Sequence, residues 1–469
     1  MRILALDQGT TSTRGLLADD SGAVEIVHSV RHAQHFPAAD RVEHDPMELL
    51  ANLRAVIAAA GQVDAIALSN QGESCLAWDA VTGAPLSPVI VWQDRRTEAR
   101  LAGMAGMAGA APMVRDRAGL PLDPYFSASK LAWLGDNERR VQDAHRAGRL
   151  RLGTTDAFFL QHLTGRALTD VTTASRTSLM SLETGDWDPE LCRLFGVPLD
   201  CLPEIRPTVS GFGEIDGVPV TAAVVDQQAA LYGHGCRAPG DAKITFGTGA
   251  FALAVTGPER PAEDDSGLLP TVAWRIGDET TYAVDGGVHA AGAAVEWAQR
   301  IGLLDGPAVL AGFEAAPAID RGLAFVPALS GLAAPHWDGS AAGLFIGMTG
   351  ATTREDMAQA LIEGIALRAA EVIARMGQGG PVARISMDGG LARSPYLCQF
   401  LADVTGAEIA LPATEELTGV GAAQLAALGL GATLPAPPLR ATVSPRPCDR
   451  EGRMARFAGA VDRARGWRD

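Results

Sequence analysis

Two distant stretches of this chain share one pattern, and the repetition constrains the fold more than any other feature. The first runs Ile3-Leu4-Ala5-Leu6-Asp7, then Gly9-Thr10-Thr11-Ser12-Thr13-Arg14, then Gly15-Leu16-Leu17-Ala18. The second runs Ala242-Lys243-Ile244-Thr245-Phe246, then Gly247-Thr248-Gly249, then Ala250-Phe251-Ala252-Leu253-Ala254-Val255. Each reads as strand, glycine–hydroxyl turn, strand. Glycine lets backbone N–H groups approach phosphate oxygens, hydroxyls add donors, and the carboxylate of Asp7 can hold a metal ion through water. An ordinary turn needs only one or two hydroxyls, and four in a row exceed that need.

Helical and strand patterns alternate along the rest of the chain, which points to an α/β architecture. Asp45-Pro46-Met47-Glu48 reads as the N-cap and first turn of a helix with an apolar face at Leu49, Leu50, Leu53, Val56 and Ile57. Residues 63–69 follow as a buried strand, leaving Asn70-Gln71-Gly72-Glu73-Ser74 at its C-terminal end, where α/β proteins carry binding loops. Residues 218–225 repeat the logic: a strand ends at Asp226 and a helix starts beside it. Later come Tyr282-Ala283-Val284-Asp285-Gly286-Gly287, helices over 292–300 and 355–376, and the turn Asp388-Gly389-Gly390 before another helix. With one hairpin opening each half, we expect two like domains, residues 1–233 and 234–469, around a cleft.

A net charge of −16 argues against a nucleic-acid partner, since phosphate backbones attract basic faces. The chain opens directly on a strand, so no signal peptide is expected, and its apolar stretches are too short to span a bilayer. The six cysteines form no Cys-x-x-Cys pair, and such scattered thiols fit a reducing cytoplasm.

Two phosphate hairpins and a Gly-Gly turn suited to a nucleotide suggest an ATP-using enzyme. Phosphoryl transfer asks a protein to hold phosphates, to place Mg²⁺ and to aim and deprotonate an acceptor oxygen. Asp226, at a strand end beside a helix N-terminus, is the candidate base, with helix capping as its other reading. Asp7 reads as a metal-organising carboxylate or the first residue of a turn. Arg14 reads as a phosphate contact or an ordinary exposed arginine.

Taken in order, these segments resemble the FGGY carbohydrate kinases and, within them, most closely the glycerol kinases. The resemblance runs almost end to end. It rests on Asp7 to Arg14, Glu43-His44-Asp45-Pro46, Trp92-Gln93-Asp94-Arg95-Arg96, Asp123-Pro124-Tyr125-Phe126-Ser127, Asp226-Gln227-Gln228, Phe246-Gly247-Thr248-Gly249, Gly343-Leu344-Phe345-Ile346-Gly347 and Asp388-Gly389-Gly390. It implies two actin/hexokinase-like (ribonuclease H-like) domains flanking a nucleotide cleft, with ATP and Mg²⁺ as cofactors and a small polyol as substrate. It implies that Asp226 is the base, and that Asp7 and Asp226 serve the metal. Thr10, Thr11, Ser12, Arg14 and Thr248 would contact phosphates, while Gly292, Glu296, Gly390 and Ser394 would lie at the adenosine. Glu73, Tyr125, Asp226 and Gln227 would hydrogen-bond the polyol against a wall of Trp92 and Phe251. A cytoplasmic homodimer is the expected state, and a non-kinase actin-like ATPase is the alternative from a different class.

One departure bears on the substrate. Glycerol kinases carry Asn-Gln-Arg-Glu-Thr where this chain has Asn70-Gln71-Gly72-Glu73-Ser74. Losing that charged donor costs roughly 1.5–3 kcal/mol of binding. The expected outcome is weakened glycerol binding, a pocket for a tetritol or pentulose, or compensation by another side chain such as Arg95 or Arg96. At the nucleotide, Glu296 stands where the family often has Gln, and Ser394 where glycerol kinases have Asn. The short loop 211–217 lacks the Gly/Arg segment associated with sugar-bisphosphate inhibition, so that feedback is not expected.

Overall fold

The computed structural model describes residues 1–261, 266–304, 312–377, 380 and 382–468. β1 (Arg2–Gln8) and β2 (Ser12–Asp19) form the first hairpin, with Asp7 opposite Arg14. β3 (Val24–Arg31) continues the meander, and β4 (Ala65–Asn70) lies parallel to β1. The short β5 (Glu214–Ile215) and β6 (Val218–Val225) complete a six-stranded sheet in the order β5-β6-β4-β1-β2-β3. The central strands are apolar runs buried along their length, as strands covered on both faces must be. One covering element is α1 (Pro46–Ala60), begun where the sequence signalled it. The Asp45 carboxylate accepts from the Met47 N–H at 2.8 Å, Pro46 sits at the first position, and Leu49, Leu50, Leu53 and Val56 are buried.

The second half repeats the plan. β7 (Asp241–Phe246) and β8 (Ala250–Gly257) form a hairpin, β9 (Leu269–Ile276) and β10 (Glu279–Val288) extend it, and β11 (Arg384–Gly389) runs parallel to β7. With β12 (Glu408–Pro412) and β13 (Leu439–Val443) the order is β9-β10-β8-β7-β11-β12-β13. In both sheets, then, the first strand is antiparallel to its hairpin partner on one side and parallel to a later strand on the other.

Seven helices matter for the site: α1, α2 (Val171–Ala174), α3 (Asp226–Gly233), α4 (Gly292–Arg300), α5 (Arg354–Met376), α6 (Pro395–Thr405) and α7 (Leu417–Gly429). α7 belongs to the second half by sequence but packs on α3 and on β1, β4 and β6. Ala5, Ala67, Val224, Leu253, Trp274, Val420 and Leu425 accordingly share one core cluster. The two halves are therefore joined by a common apolar seam as well as by their linker. Among the described residues no helix is long and apolar enough to cross a membrane, and all six cysteines are free.

Candidate active site

The side of the cleft expected to take the acceptor is assembled where β4 and β6 end. α2 lies across both strand ends and pins them. Its N-cap, Asp170, accepts from the backbone N–H groups of Thr172 and Thr173, each at 2.9 Å, and from the Thr172 hydroxyl at 2.7 Å. The Thr172 Oγ1 in turn accepts from the Val225 N–H at 3.0 Å, fixing the residue before Asp226. The Thr173 hydroxyl donates to Asn70 Oδ1 at 3.2 Å, fixing the end of β4. Every member of this network is buried, so its geometry is held in a low-dielectric setting where each bond counts for more.

Beyond α2 the chain delivers Arg176 into the cleft. Its Nε donates to Glu73 Oε1 at 2.6 Å and its Nη2 to Asp285 Oδ2 at 3.0 Å. Asp285 lies on β10, so this guanidinium bridges the two halves. Glu73 adopts φ 58°, a left-handed conformation that costs a glutamate about 1–3 kcal/mol and persists only where its surroundings enforce it. These groups face a cavity of about 130 Å³, whose polar lining includes Glu73, Arg176, Asp226, Gln227 and Asp285, with Trp92, Tyr125 and Phe251 as rings. Trp92 and Tyr125 meet edge to face at 5.5 Å, and the Trp92 indole N–H donates to Thr10 Oγ1 at 3.0 Å. A second cavity of about 500 Å³ shares Trp92, Tyr125, Arg176, Phe251 and Asp285 and leads outward.

The electrostatics single out Asp226. Burial, and then repulsion by Glu73 and Asp7, push its carboxyl up to about 7; the Gln227 N–H at 2.7 Å and the positive charge of Lys243 pull the other way. Asp7 is raised to about 6, chiefly by burial and further by Glu416, with Arg14 opposing. Glu73 is also raised by burial, against the pull of Arg176. Buried Lys243 is lowered by desolvation, and its Nζ donates to Gln227 Oε1 at 2.5 Å. Two carboxyls raised by burial and by neighbouring negative charge mark a site short of positive charge, as expected of a base and of a cation-holding pair.

The side expected to take the nucleotide is more open. At the first turn the Gly9 N–H donates to Ser12 O at 3.0 Å, Thr11 is exposed, and Ser12 is half-buried. At the second, Gly247 and Thr248 are exposed and the start of α4 holds them: the Gly292 N–H donates to Gly247 O at 3.0 Å and the Ala293 N–H to Thr248 O at 2.9 Å. A Cβ at position 292 would lie 2.5 Å from Gly247 O, so this close approach requires glycine. Gly390 is exposed at the end of β11, and Glu296 is exposed on α4. Arg14 pairs with Glu416 at 3.0 Å. Ser394 is fully buried as the N-cap of α6, its Oγ accepting from the Leu397 N–H at 3.2 Å, so its hydroxyl serves the helix.

Of the arginines considered as replacements for a side chain at position 72, Arg96 is tied to Asp94 and Glu43, each at 2.7 Å, whereas Arg95 pairs with Glu98 on the wall of the outward cavity. Sequence reasoning missed Arg176 and Asp285 as cavity residues. The only local hint was the position of Asp285 beside the Gly286-Gly287 pair.

A cleft between two sheets of matching plan, each presenting a glycine–hydroxyl hairpin, with a raised carboxylate over a small polar cavity, defines a phosphotransferase architecture. Residues 2–233 match the FGGY family of carbohydrate kinases, N-terminal domain, and residues 242–430 match the C-terminal domain of the same family. The chain belongs to that family and is an ATP-dependent kinase. It is 43% identical to a glycerol kinase of Alkalilimnicola ehrlichii, over 99% of this chain and 98% of the relative. It is 40% identical to the glycerol kinase of Thermus brockianus, over 99% of each. The crystal structure of Plasmodium falciparum glycerol kinase with ADP superposes with a TM-score of 0.89 at 30% identity, covering 99% of this chain and 98% of that one. A ligand-bound xylulose kinase from Lactobacillus acidophilus shares the fold with a TM-score of 0.88 at 22% identity, over 98% and 97% of the two chains.

Proposed function

We propose that this kinase phosphorylates a terminal hydroxyl of glycerol, with Asp226 as the general base. The observation that carries the reading is the cavity of about 130 Å³ lined by Asp226. It falls well below the roughly 300–1,000 Å³ of sites for drug-sized ligands and suits a small polyol. Carbon faces pack on Trp92 and Phe251, while hydroxyls meet Glu73, Tyr125 and Gln227. Asp226 takes the proton of the hydroxyl aimed at the γ-phosphorus, the new O–P bond forms, and the bond to the β-phosphate oxygen breaks, leaving ADP. Thr10, Thr11, Ser12 and Thr248, with the backbone of their turns, would hold the phosphates. Gly292 and Gly390 would line the adenosine.

Mg²⁺ fits the donors present. Among the described residues no group of three or more acidic, histidine or cysteine side chains gathers as a full cage. Asp7 and Asp226 instead offer two carboxylates, within the one or two that Mg²⁺ takes from protein when phosphates and water complete its shell. Bound there, the ion supplies neutralisation of charge on the transferring phosphates.

A second reading, a longer acceptor such as a tetritol or pentulose, is supported by the outward cavity of about 500 Å³ that shares the ring walls. An ADP-release assay across glycerol, tetritols and pentuloses separates the two. Glycerol should give the highest kcat/KM, and a tetritol or pentulose surpassing it would overturn the glycerol assignment.

A further inference from the structure

Arg176 is the one large cation facing the acceptor cavity whose bonding is incomplete among the described residues. Two of its three guanidinium nitrogens are committed, Nε to Glu73 and Nη2 to Asp285. The third, Nη1, is buried without a hydrogen-bond partner. Burying such a donor unsatisfied costs about 1–3 kcal/mol, more for a charged group, unless water or a ligand completes it, and Arg176 lines the acceptor cavity where either can reach it. The guanidinium stays charged, because Glu73 and Asp285 more than offset its desolvation.

The same cavity is lined by Gly72, where no side chain reaches in. That absence is built into the packing: a Cβ at position 72 would lie 2.9 Å from Val225 Cγ2, on the residue that precedes Asp226. A larger side chain there would push on the strand end that aims the base. The cavity therefore receives its guanidinium from residue 176 and keeps open space in front of position 72.

We propose that Arg176 is the specificity-determining donor of this site. Its Nη1 hydrogen-bonds a non-reacting hydroxyl of the polyol while its Nε holds Glu73 in place to accept from the same end of the substrate. Glu73 Oε2 carries no protein hydrogen bond among the described residues and is the acceptor left for that purpose. Glu73, Asp285 and Asp226 outnumber Arg176 in charge, so the pocket favours a neutral polyol and rejects sugar acids, which would add an anion beside three carboxylates. Because Asp285 comes from the second half, a substrate that orders Arg176 also strengthens the bridge across the cleft.

This inference rests on the polyol-kinase reading above, and the test separates the two. Kinetics are compared for the wild type, Arg176→Lys and Arg176→Gln with glycerol, 1,2-propanediol and 1,3-propanediol, the last two each lacking one hydroxyl. Arg176→Gln should raise KM for glycerol roughly ten- to a hundredfold with KM for ATP unchanged, and Arg176→Lys should recover part of the loss. For one of the two diols the wild type and Arg176→Gln should converge, because the hydroxyl that Nη1 reads is already gone. An unchanged glycerol KM in Arg176→Gln, or losses of equal factor with glycerol and both diols, would overturn the assignment. If Arg176→Gln fails to fold, the Arg176→Lys series carries the same comparison. If the wild type does not turn over glycerol, the glycerol reading falls, and the hydroxyl-deletion series is run on the best polyol of the panel, with convergence or its absence deciding the role of Arg176.

Discussion

The two sides of the cleft are built differently. The acceptor side is buried and internally bonded: Glu73, Arg176, Asp170 and Thr172 are all nearly inaccessible, and a chain of hydrogen bonds runs from Asn70 through α2 to the residue before Asp226. The side proposed for the nucleotide exposes its turns to solvent: Thr11, Gly247, Thr248 and Gly390 are exposed. The acceptor pocket thus has its charges and rotamers set before substrate arrives, which reduces the ordering cost of binding a ligand with few atoms. The nucleotide turns need less preparation, since backbone N–H groups are already fixed by their hairpins and a polyphosphate brings strong charge of its own.

The largest expected effect tests the centre of the prepared side. Asp226→Asn should lower kcat by about 10²–10⁴-fold, the usual worth of a general base, while isothermal titration finds ATP affinity changed by no more than about twofold. Retained kcat would falsify the base assignment. Glu73→Gln comes next. It keeps the shape but removes the charge that holds Arg176, so KM for the acceptor should rise roughly ten- to a hundredfold with KM for ATP unchanged. Equal changes in both constants would mean that Glu73 supports the whole cleft rather than the acceptor.

The scaffold behind the acceptor side carries a smaller, pH-dependent signature. Asp156 is buried and accepts from the Thr154 and Thr169 hydroxyls at 2.5 and 2.6 Å. Burial raises its carboxyl from 3.8 to about 6 against those two bonds, with Asp170 adding to the rise. A raised acid favours the fold in its neutral form. Its contribution is therefore fully present below the unfolded value and is lost as pH rises through about 6. Chemical denaturation of Asp156→Asn should accordingly show stability shifting in favour of the variant between about pH 4 and 6, by on the order of 1–3 kcal/mol, then staying level. A stability difference that does not change over that interval would remove Asp156 as a titrating scaffold residue.

How legible was this in the sequence? Local grammar carried the hairpins, the Asp45 cap and the placement of Asp226 at a strand end, because each depends on neighbours within a few residues. The acceptor pocket was legible only as far as the motif residues reached. Arg176 was not, because nothing around it distinguishes it from other arginines; its role arises from Glu73 and Asp285, each more than a hundred positions away. Arg96 looked available for the opposite reason: it lies in the same motif as Trp92, yet Asp94 and Glu43 claim it, while Arg95 stays on the outward cavity beside Glu98. Ser394 had a readable signal, serine directly before Pro395 at a helix start, and caps α6. The packing of α7 onto the first sheet could not be read from its apolar run, which is buried almost all round and so names no partner.

The smallest expected effect lies on the open side and sharpens the contrast most. Thr248 is exposed, and its backbone oxygen, not its hydroxyl, anchors the turn to α4. Thr248→Ala should therefore leave the fold intact and cost one hydrogen bond to a charged phosphate, about 1.5–3 kcal/mol at most and less where water replaces it. That corresponds to a rise of a few-fold to tenfold in KM for ATP, with KM for the polyol unchanged. If the acceptor KM moved by the same factor, the phosphate turn and the polyol pocket would be one coupled unit. The separation of a prepared acceptor side from an open nucleotide side would then describe burial alone, not binding.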